Sequence, residues 1–233
     1  NRLTGGPANA DALNAWQSAG MGEGWSDWWS LMLTQKPTDT IDQAYAVGTY
    51  VLGQPTSGSG IRRQPYSYNM SINNQTMGLY NLSSEVHDGG ELWCTALWDM
   101  NWLLVQKYGF DADLYHGDGG NNLAMQLVMD GLKLQPALPT YLEARDAILL
   151  ADEVLTGGLN QLEIWTAFAR RGFGASANSG ANSNAETVFE AFDIPDLSLK
   201  VVSSTPADGG YTNNAVTSFV LNFDVPYVPA SID

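Results

Sequence analysis

The sequence is poor in several things at once. Among 233 residues there is one cysteine, Cys94, so no disulfide can form within the chain. Lysine and arginine together number only 10 against 25 acidic residues, a formal net charge of −15. Such a chain lacks the basic footprint that nucleic acid requires. No apolar run is long enough to cross a bilayer. There are two histidines, His87 and His116, and no internal repeat; no signal peptide opens the sequence, which says nothing about the parent protein. The first residue is not methionine. A turn-like Thr4-Gly-Gly-Pro7 opens the chain and a strand-like pattern closes it, so both ends read as cut.

What is present suffices for a packed core. The hydrophobic fraction is 44% and there are eight tryptophans, in a chain long enough for one substantial domain and a small second one. Met21, Trp25, Trp28, Trp29 and Met32 recur at helical spacing, and Pro37 marks the stop. Residues 40–53 are helix-compatible. Residues 54–84, rich in Gly, Pro, Ser and Asn, predict a long irregular loop, a feature uncommon in compact domains unless it serves function. Val86, Trp93, Leu97, Met100 and Leu104 form the apolar stripe of a long helix ending near Gly109. Further helices are predicted over 122–135, after a capping box at Thr140-Tyr-Leu-Glu143, and after a second cap signal at Asn160-Gln-Leu-Glu163. Residues 174–186 predict a surface loop. After Pro195 the texture changes: 197–202 and 218–223 alternate like strands around the turn-rich Thr205-Pro-Ala-Asp-Gly-Gly210.

The segment Gly20-Met-Gly-Glu-Gly-Trp-Ser-Asp27 concentrates chemistry. Glu23 and Asp27 are four apart and share a helix face beside Trp25 and Trp28. Carboxylates in apolar surroundings need a partner or a metal, and glycines flanking Glu23 let another backbone or a ligand approach. An acidic pair serving the helix dipole explains the same spacing. His87 stands at a helix start in Glu85-Val-His-Asp-Gly-Gly-Glu91, where amide donors favour anionic groups; a structural histidine is the alternative. Arg62 and Arg63 could hold a carbonyl or carboxylate, or form an ordinary surface pair. His116 lies in the acidic loop Asp111-Ala-Asp-Leu-Tyr-His-Gly-Asp118, whose spacing matches no calcium loop, so Ca2+ is unsupported.

At these motifs the chain resembles the fungalysin family of zinc metallopeptidases, which are thermolysin-like. The resemblance extends from Asn1-Arg-Leu-Thr-Gly-Gly-Pro-Ala8 through the segment around Glu23, Gly60-Ile-Arg-Arg63 with Pro65-Tyr66, Val86-His87 with Gly90-Glu91-Leu-Trp93, and Trp165-Thr-Ala-Phe-Ala-Arg-Arg-Gly172, to about residue 192. It implies a mainly α fold, the helical C-terminal subdomain of a thermolysin-like metallopeptidase, over 1–195. The tail from Val201, with Leu221-Asn-Phe223, resembles the opening of a bacterial immunoglobulin-like module, which would make 196–233 a truncated β-sandwich segment.

The resemblance also implies roles. Glu23 matches a zinc ligand and Asp27 the aspartate that orients a ligand histidine. His87 matches the histidine that hydrogen-bonds the oxyanion. Arg62 matches the arginine that holds the substrate backbone, with Arg63 as its possible replacement. No HExxH motif occurs. The two histidine ligands of Zn2+ and the general base are therefore expected upstream, in an N-terminal half of the catalytic domain, and this chain alone is expected to be inactive. The implied protein is a secreted, extracellular zinc metalloendopeptidase acting on protein or peptide substrates. The competing reading is a non-catalytic peptide-binding relative or an extracellular adhesion module.

Overall fold

A computed structural model describes residues 3–6, 9–83, 85–198, 201–207, 210, 218 and 220–223. Among the described residues five α-helices carry the fold: α1 (Trp16–Thr34), α2 (Val86–Tyr108), α3 (Gly120–Leu134), α4 (Tyr141–Thr156) and α5 (Gln161–Arg170). Short 3-10 turns occupy Tyr50–Leu52 and Met77–Leu82. The mainly helical architecture expected from the sequence is therefore present. An antiparallel pair, β1 (Val201–Thr205) and β2 (Val220–Phe223), follows the helices. Parts of two expected features lie outside the described residues: Asn1, Arg2, Pro7 and Ala8 of the first motif, and, in the tail, residues 199, 200, 208, 209, 211–217, 219 and 224–233.

Helix α2 is the hub. Helices α1, α3 and α5 all pack on it, and α3 and α4 pack on each other. The single stripe seen in the sequence understates this. Leu92, Cys94, Ala96, Trp98 and Trp102 are buried as well, because α2 is covered on several sides. Trp28, Trp93 and Trp98 are completely buried. Removing such rings from water contributes on the order of 5 kcal/mol each, before entropy is counted. Several rings meet edge-on, as Trp25 does on Trp93 with centroids 5.8 Å apart, and others are tilted, as Trp93 is against Phe168.

Several local expectations shifted. Helix α1 begins at Trp16, five residues before the first stripe residue, because its cap comes from far along the chain. Ser183 accepts the Gln17 N–H through its carbonyl and the Ser18 N–H through its hydroxyl, and Asn184 Oδ1 accepts the Trp16 N–H. Residues 174–186 are thus more than a surface loop, since Ser179 and Ser183 are buried. Residues 40–49 form turns rather than helix. Tyr45 instead exchanges two backbone hydrogen bonds of 2.8 Å with Tyr66, and its ring packs on Trp98. The Thr140 capping box forms as read. Asn160 does not cap α5 with its side chain; its amide donates to Asp152 and its carbonyl oxygen accepts from Tyr108.

Candidate active site

The site arises where α1 crosses α2 on glycine. A side-chain carbon at Gly24 would stand 2.4 Å from the Gly90 carbonyl oxygen, and one at Gly90 would stand 2.8 Å from the Gly20 carbonyl oxygen. Only glycine permits so close an approach. Of the two glycines flanking Glu23, Gly24 is the one that serves it. A carbon at Gly22 would meet nothing nearer than 3.8 Å.

The crossing brings the two foremost sequence candidates together. Nε2 of His87 lies 3.2 Å from Oε2 of Glu23, with both side chains near half exposed. The other ring nitrogen of His87, Nδ1, contacts Oε2 of Glu85, which also accepts the His87 backbone N–H as the cap of α2. A small burial cost raises the Glu85 carboxyl, but the bonds from the His87 ring and backbone outweigh it and hold it below its ordinary value. The imidazole is fixed from behind by one carboxylate and faces a second.

One turn further along each helix the carboxylates are buried and claimed by arginine. Asp27 takes a bidentate pair from Arg62, Nε at 2.6 Å and Nη2 at 2.8 Å, and the Tyr66 hydroxyl at 2.5 Å. Three of the four acceptor positions of a carboxylate are then filled. The Asp27 hydrogen bond raises the Arg62 pKa further, against the opposing effect of burial. Burial, with Cys94 and Asp27 adding to it, pushes the Tyr66 hydroxyl well above its usual range. Glu91, one turn after His87, accepts the Arg63 N–H and Nε, both at 3.1 Å, and the Gln75 amide at 2.7 Å. Arg62 and Arg63, interchangeable in the sequence, are therefore divided between two helices. Behind them Arg171 is fully buried, bonded to both oxygens of Asp99 and to the carbonyls of Ser67 and Asn73.

Glu23 differs from its neighbours. Asp27 and Glu91 are neutralised by guanidinium groups, whereas the ion-pair partner of Glu23 among the described residues is an imidazole. A partly exposed carboxylate left free of arginine is a donor suited to a hard or borderline cation. Among the described residues no group of three or more His, Cys, Asp or Glu side chains could hold a metal ion. The residues present thus fit a metal site as one contributor to it.

His116 is remote in character. Its side chain is 83% exposed beside Asp113. In that loop Asp111 and Asp113 accept backbone amides of the same loop, from Asp113, Asp118, Tyr115 and His116. Sequence reasoning gave no role to Glu85, Tyr66, Gln75 or Glu91. Tyr66 and Glu91 stood inside motifs it had noticed, and Glu85 stood two residues before His87.

Comparison with known proteins follows the same residues. The fungalysin metallopeptidase (M36) family pattern matches residues 1–177. An extracellular metalloproteinase MEP of Pyricularia oryzae is 44% identical over 189 residues, covering 78% of this chain and 29% of that protein. An extracellular metalloproteinase mep of Aspergillus fumigatus is 47% identical over 183 residues, 76% of this chain and 28% of its own length. One from Pyrenophora tritici-repentis is 42% identical over 204 residues, 84% and 30% respectively. The chain spans less than a third of the length of these curated relatives. With the family pattern covering most of its length, the chain belongs to the fungalysin (M36) metallopeptidases.

Proposed function

We propose that this chain forms one wall of the active site of an extracellular zinc endopeptidase, whose remaining metal ligands and general base lie outside it. The observation that carries the reading is the 3.2 Å approach of His87 to Glu23, a carboxylate that no arginine among the described residues occupies. Zinc, when bound, supplies Lewis-acid polarisation of the peptide carbonyl and activation of water. Glu23 contributes one oxygen ligand. Asp27, held by Arg62 and Tyr66, has one acceptor position left to orient a ligand histidine arriving from outside the chain.

His87 donates from Nε2 to the oxyanion that develops on the substrate carbonyl, while Glu85 holds the ring from the opposite nitrogen. Asp27 occupies two of the five N–H donors of Arg62, and the others hold a backbone carbonyl of the substrate. Protein or peptide is therefore the substrate class. The extracellular setting is supported by the names of the relatives. No helix among the described residues is long and apolar enough to cross a membrane. The boundary near residue 195 and the immunoglobulin-like reading of 196–233 belong to the same proposal, supported by the antiparallel pairing of β1 with β2.

The test uses the protein that carries this chain together with its upstream segment. Casein hydrolysis should be lost on zinc chelation and in Glu23→Ala, with bound zinc falling well below one equivalent in the variant. Activity surviving both treatments would remove Glu23 from the metal site. His87→Ala should lower kcat far more than it raises KM, because the contact forms mainly in the transition state. An unchanged kcat would take His87 out of the mechanism.

A further inference from the structure

Two helices each present a pair of side chains one turn apart: Glu23 and Asp27 on α1, His87 and Glu91 on α2. The loop over 60–66 passes both. Consecutive residues of it are tied to opposite helices, Arg62 to Asp27 and Arg63 to Glu91. Glu91 grips the backbone as well as the side chain, since its Oε1 accepts the Arg63 N–H. Its other oxygen accepts both Arg63 Nε and the amide of Gln75, which is 2% exposed, so the same carboxylate ties the far part of the loop. A slip of one residue in this loop would carry Arg62 off Asp27. Glu91 is itself 4% exposed and does not reach the cleft.

We propose that Glu91 is a positioning residue: by tying the Arg63 side chain and Gln75 through one oxygen and the Arg63 N–H through the other, it sets the register of the loop and so aims the Arg62 guanidinium at the substrate. The proposal rests on the reading of Arg62 given above. A guanidinium misplaced by an ångström loses most of its value in orienting a substrate. In Glu91→Gln the side chain keeps one oxygen for the Arg63 N–H, but the new amide nitrogen cannot accept from Arg63 Nε or from Gln75.

The experiment is a double-mutant cycle in the full-length protein, combined with amide exchange of the loop. Glu91→Gln should lower kcat/KM for a peptide substrate about tenfold in the native background, and less than about twofold when Arg62 is already alanine. The amides of Arg62, Arg63, Gln64 and Tyr66 should exchange faster in Glu91→Gln than in the parent. Equal losses in both backgrounds, with Arg62→Ala itself impaired, overturn the positioning role and leave the reading of Arg62 standing. Unchanged exchange over 62–66 also overturns it. A silent Arg62→Ala with an impaired Glu91→Gln overturns both. Should Glu91→Gln not fold, Arg63→Lys takes its place in the cycle with the same deciding outcomes, because lysine keeps a cation beside the buried Glu91 but cannot reproduce the Nε contact of the guanidinium.

Discussion

The glycine crossing gives the sharpest test of how the site is built. In Gly24→Ala the new methyl would stand 2.4 Å from the Gly90 carbonyl oxygen and 3.1 Å from Cβ of Trp93, where ordinary contact begins at 3.4 Å. The nearest obstacle is backbone, so the helices must separate by about 1 Å. Overpacking of this kind costs about 1–3 kcal/mol, and alanine returns about 1 kcal/mol in helix propensity. The net loss is about 0–2 kcal/mol, a fall in Tm of up to about 8 °C for a domain of this size, whereas the control gains the propensity without the overpacking. The same separation takes His87 beyond hydrogen-bonding distance of Glu23, now 3.2 Å away, and a displacement of that size can cost roughly 100-fold in rate. Gly22→Ala is the matched control, with its methyl in ordinary contact 3.8 Å from Leu13. Thermal unfolding and peptide hydrolysis of the full-length protein read both effects, and the emission of Trp25 and Trp93, which meet edge-to-face across the crossing, reports the separation. If Gly24→Ala matches Gly22→Ala in Tm and kcat/KM, the close crossing is not what assembles the site.

Arg171→Met should destabilise by about 3–5 kcal/mol, because it leaves Asp99 buried with only Arg170 at 3.3 Å. A fall in Tm smaller than about 3 °C would show that Arg170 suffices. Asp99 also makes a prediction about pH. Burial pushes its carboxyl up to about 6, against the pull of Arg171 and Arg170, so the folded protein holds a proton there more tightly than the unfolded chain, whose carboxyl titrates near ~3.9. The stability this proton contributes is complete below about pH 4 and lost as pH rises through about 6. The advantage of the parent over Asp99→Asn in denaturant unfolding should therefore shrink across that window. An advantage that grows instead would mean that the arginines outweigh burial.

Much of the fold was legible because helical spacing survives in sequence. The stripes of α1 and α2 and the box at Thr140 lay in the right places. What escaped was whatever depends on partners distant along the chain. The start of α1 is set by Ser183 and Asn184, whose composition reads as loop. Residues 40–49 follow the pairing of Tyr45 with Tyr66 rather than their own propensity. Asn160 has the composition of a cap, yet the nearby Asp152 carboxylate takes its amide. At the site, Glu23 and His87 were visible as unusual residue types in unusual contexts. The division of Arg62 from Arg63 was not, because adjacent arginines look alike until two helices stand on either side of them.

The cap of α1 has a consequence in time. The helix that carries Glu23 and Asp27 draws its amino-terminal hydrogen bonds from residues about 165 positions later. On a ribosome adding roughly 5–20 residues per second, that partner arrives some 8–33 seconds after the helix itself has been made. Until then the first turn of α1 has only water and Ser18 to satisfy it. The orientation of the Glu23 helix is thus decided late in synthesis, and a chain ended before residue 183 would carry Glu23 and His87 on helices whose crossing had lost its anchor at one end.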